Sequence, residues 1–220
     1  EKPSMKVVLD AISILRKEYG DHVAVLGKVM GPWTISYHLV GTEEFLTWII
    51  LDPDKVRRFL DILKEVTIIF GKAQLQAGAD AITLADHATG DLVRPETYRD
   101  FLLPVHQEII QRIGGPIILH ICGNCADRLR YFVEAGFDAY HFEWQVDARK
   151  AVKIVNGEMS LIGNINNAET LYHGTPEDVY RQARYSIKAG VNIIAPECCI
   201  PLKTPLRNLK AIVEAAKEGY

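Results

Sequence analysis

The sequence predicts an α/β barrel of parallel strands, and three observations predict it. Six short apolar runs alternate with long amphipathic helical patterns, with no low-complexity linker between them. The junction AGADAI (77–82) recurs as AGFDAY (135–140) and AGVNII (189–194), each reading Ala-Gly, a variable residue, Asp or Asn, then apolar residues. Glycine there ends a helix in the left-handed conformation and the chain turns straight into a strand. Such helix-to-strand units imply right-handed crossovers and a parallel sheet. Finally, the turn VMGPWT after the first strand lacks the G-x-G-x-x-G spacing of a nucleotide-binding open sheet. With six strands visible, the barrel is expected to lack its first strand or strands.

The chain opens on a helical pattern, EKPSMKVVLDAISILRKEYG, with no strand ahead of it. The strands follow as HVAVLGKVM (22–30), DAITLAD (80–86), PIILHIC (116–122), AYHFEW (139–144), SLIGNI (160–165) and NIIAP (192–196). Their apolar cores have the length and type of strands buried on both faces. Helical patterns lie between them at 52–78, 94–114 and 175–190, opening on Asp, Arg or Thr directly ahead of proline. Residues 1–220 are read as a single catalytic domain. A barrel short of strands leaves sheet edges open, and pairing with another chain is expected there.

At 48% hydrophobic and 24% charged, the composition is that of an ordinary soluble protein. A net charge of −3 gives no electrostatic reason to expect nucleic acid or an anionic membrane. No apolar run approaches the ~20 residues of a membrane span. Cys122, Cys125, Cys198 and Cys199 form two tight pairs beside strand ends, unlike a spread disulfide framework. In a reducing cytoplasm, where the chain is expected to reside, they read as ligands, reactive thiols or buried apolar residues.

In parallel α/β folds, chemistry gathers at the carboxyl ends of the strands. Those ends carry Asp86 and His87, His120 and Cys122, His141 and Glu143, Asn164 and Asn166, then Glu197, Cys198 and Cys199. His120 and Cys122 are two apart on an extended segment, so both side chains share one face. Imidazole and thiolate together favour zinc over hard cations. A third soft ligand is required, and the cysteines at the end of the last strand supply it. A His, Cys, Cys set leaves a coordination position open, as in catalytic zinc sites. Taken singly, each piece has a plainer account. His-x-Cys suits a core histidine beside a buried thiol, Cys122-x-x-Cys125 a redox pair, Glu143 an ion pair at the rim, and Asp86 a turn cap. Gathered on one rim, they favour the metal.

ADHATGDLVRPETYRDFLLP, LHICGN, GNINNAETLYHGTPEDV and AGVNIIAPECCIPLKTPLRNLKAIVEA resemble the uroporphyrinogen decarboxylase superfamily, in its methylcobamide:coenzyme M methyltransferase branch. The resemblance runs along essentially the whole chain. It implies an eight-stranded (β/α)8 TIM barrel, of which this chain corresponds to the C-terminal two-thirds. It also implies zinc held by His120, Cys122 and Cys198, with Glu143 as fourth ligand while substrate is absent. Relatives usually show Gly-Cys-Gly where this chain has Glu197-Cys198-Cys199, and Cys199 stands as the alternate ligand. Cys125 matches no ligand.

By the same resemblance the enzyme moves a methyl group from a methylcobalamin-type corrinoid, carried by a small corrinoid protein, to the thiol of coenzyme M in methanogenesis. Zinc would hold that thiol as a thiolate, which attacks the methyl group of methyl-cobalt(III) and releases cobalt(I). Asp86, His87 and Asn164 stand as candidate substrate contacts. The alternatives are a metal-free uroporphyrinogen decarboxylase-like lyase and a non-catalytic scaffold that binds zinc or corrinoid. A decarboxylase lacks the His-x-Cys and the distal Cys, and a scaffold would bind zinc without activating thiols.

Overall fold

The computed structural model describes residues 3–219. The described residues form two compact units. Six strands follow one another along the chain, three in each unit, each parallel to its neighbours within that unit.

The first unit comprises the described residues up to Ala88, with Arg94–His120 and Glu134–Asp138. It holds β1 (Leu26–Met30), β2 (Ala81–Ala85) and β3 (Ile117–His120), in register from Leu26 opposite Ala81 to Ala85 opposite His120. Helices α1 (Pro3–Tyr19), α2 (Pro32–Val40), α3 (Thr42–Leu51) and α4 (Pro53–Gln76) precede β2. Asp52 caps α4 by accepting from the Lys55 amide, with Pro53 in the first helical turn where its missing N–H costs nothing. Ile82, Leu84, Ile117 and Leu119 are fully buried, as expected of strands covered on both faces. β1 departs from that expectation: Leu26, Lys28 and Met30 are exposed while Gly27 and Val29 are buried.

The helical pattern at 94–114 is not one continuous helix. A short turn, α5 (Pro95–Thr97), runs into a wide turn over Tyr98–Leu102 before α6 (Leu103–Ile113) begins. Pro104 explains the break, because it has no N–H to return to the carbonyl four residues back. The Leu103 amide reaches past that spacing to the Tyr98 carbonyl.

The three glycine junctions are found as expected: Gly78, Gly136 and Gly190 have φ of 111°, 91° and 101°. Their Asp or Asn has a job of its own. The Asp80 carboxylate accepts from the Val25 amide at 2.7 Å, and the Asp80 amide donates to the Val25 carbonyl at 2.7 Å. Each helix therefore returns to the sheet beside the start of the preceding strand.

At β1, the first strand in sheet order, the Lys28 amide donates to Gln74 Oε1 and Gln74 Nε2 donates back to the Lys28 carbonyl, both at 2.9 Å. Thr67 Oγ1 donates to the Met30 carbonyl at 2.8 Å. Two fully buried side chains of α4 thus occupy backbone groups that face away from β2.

The second unit comprises Thr89–Val93, Ile121–Val133 and the described residues from Ala139 on. It holds β4 (Ala139–His141), β5 (Ser160–Ile165) and β6 (Ile193–Pro196), with Ala139 opposite Ser160 and Ile162 opposite Ile193. Its core joins Ile165, Leu171, Val179, Ala183, Ala211, Ile212 and Ala215. α7 (Leu129–Ala135), of which the residues up to Val133 belong to this unit, and α8 (Ala148–Val155) precede a wide turn at Asn167–Tyr172, then α9 (Pro176–Ala189) and α10 (Leu206–Lys217). A reciprocal Thr175 and Asp178 capping box opens α9. No helix among the described residues is long and apolar enough to cross a membrane.

Candidate functional site

Cys122, Glu143 and Cys198 each lie two residues beyond the end of a strand: β3, β4 and β6 respectively. All three are half-buried, and their ligand atoms lie within 4.8 Å of one another. The Cys122 and Cys198 sulfurs are 3.6 Å apart. Glu143 is aimed by its Oε2, which accepts from the Gly123 amide at 2.8 Å. Gly123 has φ of 83°, and a Cβ there would stand 2.1 Å from Asp91 Oδ2, so glycine is what allows that amide to turn toward Glu143.

The cluster is rich in potential negative charge. Cys198 holds the Cys122 thiol far above its ordinary pKa, with burial and the Glu143 carboxylate pushing the same way. A bound cation reverses that pressure. Two thiolates on a tetrahedral zinc with bonds of about 2.3 Å stand about 3.8 Å apart, and the thiol pair is within a few tenths of an ångström of that. These residues therefore fit a zinc ion. Cys199 is exposed and Cys125 is buried, and the cysteine gathered with Cys122 and Glu143 is Cys198.

Around this trio runs a second ring of contacts. Glu197 is 7% exposed, and both its oxygens are engaged, Oε2 by the Trp144 amide at 2.9 Å and Oε1 by the Asn167 amide at 2.8 Å. Burial raises its pKa, with Glu143 and Cys198 adding and the two amides opposing. Asn167 Nδ2 donates to the Cys199 carbonyl at 2.7 Å. Asn164 donates to the Val146 carbonyl at 3.0 Å and accepts from Ser186 Oγ at 2.9 Å. Asn166 caps the following turn at the Glu169 amide, and His141 Nε2 donates to the Pro196 carbonyl at 2.7 Å. The sequence puts Glu197 on the rim without a role and does not single out Asn167. The available signal is the glutamate at a position where the family resemblance implies glycine.

In the first unit, Asp86 is fully buried and faces protein donors. Its Oδ1 accepts from the Thr34 amide at 2.7 Å and its Oδ2 from His106 Nε2 at 3.0 Å, while the Tyr98 hydroxyl lies 2.8 Å from His106 Nδ1. Gly31 makes room for this carboxylate, since a Cβ there would stand 2.2 Å from Asp86 Cγ. His87 is half-buried, its amide bound to Thr34 Oγ1, and its ring meets that of His120 edge-on at 6.1 Å. The β3 ladder ends at His120, short of the predicted limit at Cys122.

A methylated-thiol–coenzyme M methyltransferase of Methanosarcina mazei is 35% identical over 99% of this chain and 59% of its own length. A methylcobamide:CoM methyltransferase of Methanosarcina barkeri is 33% identical over 100% of this chain and 66% of its own. A uroporphyrinogen decarboxylase of Crocosphaera subtropica is more distant, at 25% over 98% of this chain and 63% of its own. The chain thus spans about 60–65% of the length of the relatives it matches. Among solved structures, a methyltransferase from Methanosarcina mazei superposes with a TM-score of 0.93 at 34% identity, covering 97% of this chain and 64% of that one. The parallel α/β architecture is therefore that of these methyltransferases. The uroporphyrinogen decarboxylase (URO-D) profile matches residues 1–219, and on both sequence and fold the chain belongs to the uroporphyrinogen decarboxylase family.

Proposed function

We propose that this chain carries the zinc site of an enzyme that transfers a methyl group from a protein-bound methylated corrinoid to the thiol of coenzyme M. The observation that carries the reading is the Cys122 and Cys198 thiol pair, 3.6 Å apart with Glu143 beside it. Relatives named for coenzyme M methyl transfer, at 33–35% identity, support it. Cys122 and Cys198 would hold the metal. His120, two residues ahead of Cys122 in the sequence, would be the third ligand. A zinc ion there provides a Lewis-acidic position at which a thiol gives up its proton.

The chain's own residues arrange the rest. The Gly123 amide holds one oxygen of Glu143, and the other would be available as a ligand beside the two thiols. The carboxylate would carry the same unit of negative charge that a bound thiolate brings. Asp86 stabilises the β2 end through Thr34 and His106. His87 and Asn164 stand at the strand ends as candidate substrate contacts.

The test is zinc content together with demethylation of methylcobalamin by coenzyme M, for the parent, His120→Ala, Cys122→Ser and Cys198→Ser. About one zinc per chain, lost with each of the three, and thiol-dependent demethylation are expected. Zinc without demethylation would favour a binding scaffold, and a folded chain that takes up no zinc would favour a metal-free lyase.

A further inference from the structure

We propose that Glu197 is the positioning residue of the candidate metal centre, a single buried carboxylate that holds two of its ligand-bearing turns in place. The inference rests on the zinc reading above for its purpose, and on geometry alone for its substance. Glu197 directly precedes Cys198, and its Oε2 accepts from the amide of Trp144, which directly follows Glu143. One side chain therefore joins the turn carrying Cys198 to the turn carrying Glu143.

Its other oxygen accepts from the Asn167 amide, and Asn167 Nδ2 donates to the Cys199 carbonyl. Cys198 is thus bracketed, with Glu197 before it and Cys199 after it both tied to Asn167. Glutamate is suited to this because one carboxylate accepts from two amides that arrive from different strand ends. Without it the buried Asn167 amide would be left without an acceptor, and the part-buried Trp144 amide would lose its partner. The two glutamates consequently divide the work. Glu143 is half-buried with one oxygen hydrogen-bonded to backbone, whereas Glu197 is buried with both oxygens spent.

The test uses Glu197→Gln, with Cys125→Ala and Cys199→Ser in both parent and variant so that Cys122 and Cys198 are the two thiols compared. Glutamine keeps the shape but presents an NH2 group to one backbone N–H, donor against donor. The first readout is cobalt(II) binding and its thiolate-to-cobalt absorption band. We expect affinity to fall about 10–100-fold, as for other residues that orient metal ligands, with an altered band.

The second readout needs no metal. Diamide oxidises the paired thiols of Cys122 and Cys198 to a disulfide, its azo bond taking up two electrons and two protons to become a hydrazine. Loss of positioning should slow this about tenfold or more. A variant that matches its parent in both readouts overturns the proposal. A parent that binds no cobalt while the variant still slows the cross-link removes the zinc reading and leaves the positioning role standing. If Glu197→Gln does not fold, Glu197→Asp keeps the charge but retracts it by one methylene. It should shift the same readouts in the same direction, and parent-like behaviour there overturns the proposal equally.

Discussion

Asp138 and Ile117 hold each other twice: the Ile117 amide donates to Asp138 Oδ2 at 2.8 Å, and the Asp138 amide donates to the Ile117 carbonyl at 3.2 Å. Asn192 does the same to Leu161, at 2.8 Å and 3.1 Å, and Asp80 to Val25. The side-chain oxygen extends the ladder beyond the backbone, supplying an acceptor at the start of a strand where the neighbour has not yet begun. The three positions are those of the repeated Ala-Gly-x-Asp/Asn junction, so the echo in the sequence encodes a chain return as well as a helix stop.

Asp138→Ala should therefore destabilise the chain by about 1 kcal/mol, the usual net worth of one hydrogen bond. Asp138→Asn should cost less, because Asn192 shows that an amide oxygen serves. Urea unfolding of the two variants beside the parent checks the order, and equal losses would count against the acceptor role.

Cys199→Ser should retain metal, since its thiol is exposed outside the trio. Glu143→Gln should weaken zinc about 10–100-fold if the carboxylate supports the site as a ligand or as its close neighbour. Competition with a chromophoric chelator measures both, and loss of zinc in the Cys199 variant alone would reverse the assignment.

Gly90→Ala tests the loop that carries Cys122. A Cβ at Gly90 would stand 2.0 Å from the Asn124 carbonyl oxygen, a backbone atom that cannot swing aside. Overpacking of this kind costs about 1–3 kcal/mol. A lower melting temperature and slower Cys122–Cys198 cross-linking should appear together, and a neutral result would mean that the loop relaxes freely.

Alkaline stability should report Tyr37. Burial pushes its phenol up to about 12, with the Asp86 charge adding and the Trp33 indole donor opposing. The folded state thus favours the neutral phenol. Its contribution is intact below pH about 10, where an unfolded tyrosine titrates, and is lost as pH rises through about 12. Tyr37→Phe should flatten the fall in stability across that window, and an unchanged slope would show that other groups dominate.

Much of this was legible in the chain. The strand runs and glycine junctions announce themselves because their physics is local: an apolar stretch, a left-handed residue. Cys122, Glu143 and Cys198 could be gathered because each sits just past a strand, where parallel folds collect their chemistry. Glu197 and Asn167 were opaque for the opposite reason. Their partners are backbone amides, which look the same at every position until folding brings particular ones near. The interruption of the 94–114 helix was visible at Pro104 but outweighed by the apolar spacing around it, and the burial of Asp86 depends on Gly31, Thr34 and His106, far away in the chain.

Gln74 gives β1 a property that its exposed Leu26 and Met30 conceal. By donating and accepting at Lys28, its amide imitates one residue of an adjoining strand. Any strand pairing at Lys28 would have to displace both of those hydrogen bonds.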